Sequence, residues 1–190
     1  MSSTTPDSQR LFFALWPDAT LQEDIDRRAH KLIGKHVKRV PAHNLHITLA
    51  FLGSVSREQR ACCEQVAAGI QAQGFALSLE CIGHWPRPRI LWLSPSQQPE
   101  ALRALVHTLN ATLVTCGFTP DARPYHAHMT LARKVGRPLS VRSIEPIDWM
   151  VDSFALVESV TAPEGPCYQV LKHWPLQDTT PDLQSALCPE

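Results

Sequence analysis

The tetrapeptide His-X-Thr-Leu occurs twice in this chain, as His46-Ile47-Thr48-Leu49 and as His128-Met129-Thr130-Leu131, each within a short apolar run. Side chains on an extended strand alternate between faces, so His46 shares a face with Thr48, and His128 with Thr130. Each copy supplies an imidazole, whose ordinary pKa of about 6.5 lets it give or take a proton near neutral pH, beside a hydroxyl able to hydrogen-bond a phosphoryl oxygen. Two such pairs are what metal-free cleavage of a phosphodiester requires. One histidine deprotonates the attacking group while the other protonates the leaving oxygen. The threonines would hydrogen-bond the nonbridging oxygens as negative charge builds on them.

Blander readings compete at each position. A lone histidine in an apolar run is commonly buried and satisfied by backbone, and threonine is favoured in strands for its shape alone. The pairs His43/His46 and His126/His128 also have the character of metal ligands, the second at the i, i+2 spacing that points both rings to one face. Asp121 is the nearest carboxylate to that second pair, and no acidic residue completes either set. No metal and no cofactor are therefore assigned. Trp85, Trp92, Phe51 and Tyr125 either stack a base near a cleft or fill the core; Trp92 reads as core, and Trp85, beside Pro86-Arg87-Pro88, stays open.

The elements that must carry these residues are legible from periodicity. Leu11 to Leu15 is an apolar strand ended by Trp16-Pro17-Asp18, and Thr20-Leu21-Gln22-Glu23 has the capping-box pattern of a helix start. The helix places Leu21, Ile25, Ala29, Leu32 and Ile33 on one face. After Pro41, a strand from Leu45 to Leu52 holds the first motif and closes at Gly53. Ser56-Arg57-Glu58-Gln59 opens a second helix, running to about Gln73 and stopping at Gly74, ahead of a strand from Phe75 to Ile82. The pattern then restarts with a strand Ile90 to Leu93. Pro99 opens a helix with the stripe Leu102, Leu105, Val106, Leu109 and Leu113, Gly117 ends it, and a strand with His128 follows. His128 follows Ile90 at nearly the distance at which His46 follows Leu11. Two duplicated halves would face their motifs across a shared groove. Phe154 to Val160 and Tyr168 to His173, joined through Ala162-Pro163-Glu164-Gly165-Pro166, read as a hairpin.

The length of 190 residues suits one domain, residues 1–176, built of two lobes, with 177–190 as a loose C-terminal tail. Lys plus Arg (18) balance Asp plus Glu (18), which excludes a strong overall field for nucleic acid or membrane, so an anionic partner must be held locally. Arg27, Arg28, Lys31, Lys35, His36, Lys38 and Arg39 do concentrate positive charge; they read equally as an RNA backbone track or as a solvated helix face. Cysteines at 62, 63, 81, 116, 167 and 188 lack C-x-x-C spacing and read as reduced thiols, against a zinc ribbon or a disulfide framework. The polar first ten residues do not read as a signal peptide, and no run approaches a membrane span, so neither a leader nor an anchor is expected. A cytoplasmic monomer is the expectation.

The chain resembles the two-histidine (2H) phosphoesterase superfamily and, within it, the bacterial LigT-like RNA 2′,3′-cyclic phosphodiesterases, also called 2′-5′ RNA ligases. The residues that carry this are Arg10-Leu11-Phe12-Phe13-Ala14-Leu15, Asn44 through Gly53, His128 through Arg133, and Tyr168-Gln169-Val170-Leu171. One departure is Ala127, where the family often has proline; proline there would shape the backbone rather than do chemistry. The resemblance implies an α+β fold of two pseudo-symmetric lobes, each an antiparallel sheet with outer helices, around a central cleft carrying both motifs. It implies hydrolysis of an RNA 2′,3′-cyclic phosphate end to a 2′-phosphomonoester, with reverse 2′-5′ ligation, and no metal. His46 would be the proton donor, His128 the proton acceptor, and Arg133 a cation for the phosphate. In a regular strand, position 133 faces away from position 128, so its reach depends on a bend or on the strand ending there. The related alternative is a phosphodiesterase of cyclic nucleotides or ADP-ribose cyclic phosphate; a noncatalytic RNA-end-binding module is the alternative of another class.

Overall fold

Leu11 to Leu15 are apolar at every position, the pattern of a strand covered on both faces, and in the computed structural model, which describes residues 8–33, 37–136, 140–162 and 165–178, they lie in a strand interior to the sheet. In chain order the elements are β1 (Ser8–Leu15), α1 (Ala19–Ile33), β2 (Ile47–Ser56), α2 (Arg57–Ala68), β3 (Phe75–Trp85), β4 (Ile90–Ser94), α3 (Glu100–Leu113), β5 (Met129–Arg133), β6 (Arg142–Val151), β7 (Ser153–Ala162) and β8 (Gly165–Pro175). The strands form one antiparallel sheet in the order β6-β3-β4-β5-β2-β1-β7-β8. Its two four-stranded halves join through a single residue pair, Ile47 opposite Met129. The expected lobes are thus halves of one α+β sheet. The duplication is visible in it: β1-α1-β2 and β4-α3-β5 occupy matching places on either side of the join.

The three helices cover one face. Ile25 and Ala29 of α1, Cys63 and Ala67 of α2, and the α3 stripe Leu102, Leu105, Val106, Leu109 and Leu113 bury against Leu11, Phe13, Leu15, Leu77, Leu79, Leu91 and Leu93. The other face of β1 carries a separate small cluster of Phe12, Ala14, Ala155 and Val157, flanked by Trp16, Tyr168 and Val170.

Several local expectations change. The start of α1 is capped by Asp18, whose carboxylate accepts the Leu21 backbone N–H at 2.7 Å, rather than by Thr20. The Ser56/Gln59 capping box forms as read, but α2 ends at Ala68, before Gln73. The strand β6 escaped the pattern because it contains Pro146; it is an edge strand, where proline leaves no partner unsatisfied. Cys62 and Cys116 form a disulfide with Cα atoms 5.7 Å apart, which corrects the reading of reduced thiols throughout. It ties α2 to the 3-10 turn after α3, a pairing set by helix packing that local cysteine spacing does not encode. Cys63, Cys81 and Cys167 are free. Gln177, assigned from sequence to the tail, forms a bridge with Gln73, and its carbonyl accepts the Gly74 N–H at 2.8 Å. Residues 179–190 of that tail, Lys35, His36 and the Pro163-Glu164 turn lie outside the described residues.

Candidate active site

Both motif histidines stand one residue ahead of their strands, His46 before β2 and His128 before β5. Their rings are held alike: Nδ1–H of His46 donates to the Asn44 carbonyl at 2.7 Å and Nδ1–H of His128 donates to the His126 carbonyl at 2.8 Å. A carbonyl only accepts, so each neutral ring carries its proton on Nδ1 and presents a bare Nε2. Continuing the Ile47–Met129 register by one residue sets His46 across from Thr130 and Thr48 across from His128. The two imidazoles therefore occupy one diagonal of a four-residue patch and the two hydroxyls the other.

The leucine of each motif is a bulge. Along β2, Ala14 pairs with Thr48 and Phe13 with Ala50, leaving Leu49 unopposed; along β5, Trp92 pairs with Thr130 and Leu91 with Ala132, leaving Leu131 unopposed. An unpaired residue shifts the alternation by one, so residues five beyond each histidine return to the histidine face. On β5 that residue is Arg133, paired with Ile90, and its charge acts on both His46 and His128. The bend on which Arg133 depended is this bulge. On β2 the matching residue is Phe51, 57% exposed, with the Arg10 guanidinium 4.7 Å above its ring centroid.

Aromatic rings surround His46. Trp16 stacks on it with centroids 5.5 Å apart, Phe12 lies at 4.9 Å, and Tyr168 meets it edge-on at 5.0 Å. Burial pushes its pKa down to about 4, helped by the Arg133 and His128 charges and opposed by the Asn44 hydrogen bond. His128 is also lowered, by burial first and then by His126 and Arg133, against the His126 carbonyl. Its neighbour is Trp85, edge-on at 4.6 Å. Sequence reading left Trp85 open, and it lies in the site; Trp92 is buried beneath it, against Gly83, where any Cβ would collide with the indole. Phe12 and Trp16 were missed. The signal was the unbroken apolar run from Leu11 to Trp16, which commits both faces of β1 to burial.

A cleft of about 780 Å³ opens beside the patch, lined by Thr48, Phe51, Trp85, Tyr125, His126 and His128 among others. Among the described residues no group of three or more His, Cys, Asp or Glu is placed to hold a metal, and Asp121 is engaged by Arg123 at 3.0 Å. Much of the basic stretch is neutralised locally: Arg27 and Arg28 pair with Asp24, Arg28 also approaches Glu145 at 3.7 Å, and Arg39 pairs with Asp26 at 3.0 Å.

The family model of the 2′-5′ RNA ligase superfamily matches residues 17–162. The chain is 35% identical to the RNA 2′,3′-cyclic phosphodiesterase of Escherichia coli over 173 residues, covering 90% of this chain and 98% of that protein. It is 32% identical to the RNA 2′,3′-cyclic phosphodiesterase of Archaeoglobus fulgidus, covering 86% and 98%. Its fold superposes on the crystal structure of a phosphoesterase with a TM-score of 0.83 at 34% identity, covering 90% and 99%. Against E. coli LigT complexed with 3′-AMP the TM-score is 0.82 at 34% identity, covering 89% and 98%.

Proposed function

This chain belongs to the 2′-5′ RNA ligase superfamily and, among the two-histidine phosphoesterases, to the LigT-like RNA 2′,3′-cyclic phosphodiesterase family, and on that premise we propose that it opens the terminal 2′,3′-cyclic phosphate of RNA to a 2′-phosphomonoester. The observation that carries this reading is the diagonal His/Thr patch with Arg133 turned onto the same face. Bare Nε2 of His128 takes a proton from water as the water oxygen attacks phosphorus. The bond to the 3′ oxygen breaks in line with that attack, and His46 protonates the departing oxygen. Thr48, Thr130 and Arg133 hold the nonbridging oxygens as charge gathers on them. With a 5′-hydroxyl in place of water as the nucleophile, the same steps in the same direction form a 2′-5′ linkage, the proton of that hydroxyl passing to His128 and the 3′ oxygen leaving with the proton of His46. One chain supplies both histidines, so a monomer suffices. No helix of the described residues is long and apolar enough to cross a membrane, and a cytoplasmic location completes the reading.

The lowered pKa of His46 makes it the stronger acid and the weaker base of the pair, which suits the donor role. In the free protein at pH 7 roughly one ring in a thousand carries the proton it must give, taking its pKa of about 4. An anionic phosphate entering between the rings favours the protonated form and restores it. The expected result is a bell in which kcat/KM, reporting the free protein, peaks below pH 6.5, while kcat, reporting the complex, peaks at higher pH. A profile flat from about pH 5 to 9 would sink the paired-histidine mechanism.

The direct test is hydrolysis of a short oligonucleotide ending in 2′,3′-cyclic phosphate with chelator present, resolving 2′- from 3′-phosphate product. Chelator-resistant formation of the 2′-phosphate is expected. A second reading, small cyclic nucleotide phosphates or ADP-ribose cyclic phosphate as substrates, draws support from the pairing of Arg27, Arg28 and Arg39, which leaves recognition to the terminal nucleotide in the cleft. Turnover of those compounds but not of the oligonucleotide would select it. Binding of the oligonucleotide end without any turnover would select the noncatalytic module.

A further inference from the structure

Two side-chain amides hold extended backbone in the same way on the two sides of the site. Asn44, buried, donates from Nδ2 to the Pro166 carbonyl at 2.9 Å and accepts the Tyr168 N–H on Oδ1 at 3.3 Å. Gln98, in the loop before α3, donates from Nε2 to the Tyr125 carbonyl at 3.2 Å and accepts the Ala127 N–H on Oε1 at 3.0 Å. Each amide satisfies a C=O and an N–H two residues apart, as a neighbouring strand would. Asn44 thereby fixes its own carbonyl, the one that holds His46. Gln98 brackets His126, and the His126 carbonyl is the one that holds His128. Tyr125 extends the clamp by donating its hydroxyl to the Thr48 carbonyl at 3.1 Å, tying the lead-in of the second motif to the strand of the first.

We infer that Gln98 is a positioning residue for His128, clamping residues 125–127 so that the His126 carbonyl orients the imidazole and keeps Nε2 toward the phosphate. The need for it is local. Residues 117–128 form a long connection without regular structure between the 3-10 turn Val114–Cys116 and β5, so no ladder fixes the backbone just ahead of His128. Ala127 leaves an N–H there that Gln98 absorbs, whereas a proline would have neither the N–H nor the freedom in φ. The inference rests on the proposed function for its kinetic consequence, but its geometric content does not depend on turnover.

The test is Gln98→Ala, measured in two ways. With the cyclic-phosphate oligonucleotide, kcat should fall roughly ten-fold at little change in KM, because a misaimed base loses reactive geometry while binding groups stay in place. By proton NMR without substrate, the His128 ring should titrate at lower pH than in the parent, since a loosened carbonyl no longer favours the charged ring, while His46 titrates unchanged. The other groups that bear on His128, namely His126, Tyr125, Arg133 and His46, are all retained in the variant. An unmoved His128 titration overturns the inference whether or not the protein turns over RNA. So does a loss of activity that only tracks the folded fraction, with kcat of the folded protein unchanged. A moved His128 titration in a protein inert toward the oligonucleotide would support the clamp while rejecting the proposed reaction.

Discussion

His46→Ala and His128→Ala should each lower kcat by roughly 10²- to 10⁴-fold with modest change in KM, the worth of one positioned proton transfer. The reason lies in the geometry. Each ring is aimed through an Nδ1–H bond to a carbonyl, of Asn44 or of His126, so its loss removes a proton carrier without disturbing the sheet. The double variant should lose little beyond the worse single one, because acid and base act in one step and half of the pair retains little of the whole. Thr48→Val and Thr130→Val should cost less, each removing one proposed hydrogen bond to an oxygen that Arg133 would also serve. Steady-state kinetics on purified, folded variants decides the matter. Near-normal turnover in both histidine variants returns the two residues to the buried, backbone-satisfied reading.

Arg133→Met should lower kcat/KM by about 10²- to 10³-fold, the scale on which a single preorganised donor to a developing oxyanion contributes. A second consequence separates it from a surface residue. The Arg133 charge helps to depress both imidazoles, so its removal favours their protonated forms and raises both pKa values. The whole kcat/KM bell should then move to higher pH. Arg133→Lys keeps the charge but loses the planar fork, so it should hold the bell in place while recovering only part of the rate. Activity of Arg133→Met within about two-fold of the parent, with an unmoved profile, would leave Arg133 an exposed side chain of no consequence to the reaction.

The candidate site of this protein was legible in its sequence because the chemistry proposed for it depends on residue types repeated at fixed local spacing. His46-Ile47-Thr48 and His128-Met129-Thr130 announce two acid–base groups and two hydroxyls wherever they are placed, and the strand-helix-strand repeat around them says that they are placed alike. Four things were decided only in the folded chain. The side on which Arg133 lies depends on the unpaired Leu131, and a bulge is a property of two strands in register, since Ile90 to Leu93 must be present before Leu131 is an excess residue. The aromatic cage of His46 draws Phe12 and Trp16 from the start of the chain and Tyr168 from near its end, a meeting arranged by β7 and β8 crossing to the far edge beside β1. The disulfide between Cys62 and Cys116 and the amide clamp of Gln98 likewise join positions that only packing brings together. Spacing along the chain determines which groups are available and which face of an isolated strand they take. Pairing, bulging and burial determine which of them meet, and with what proton affinity, because those energies arise from neighbours distant in sequence.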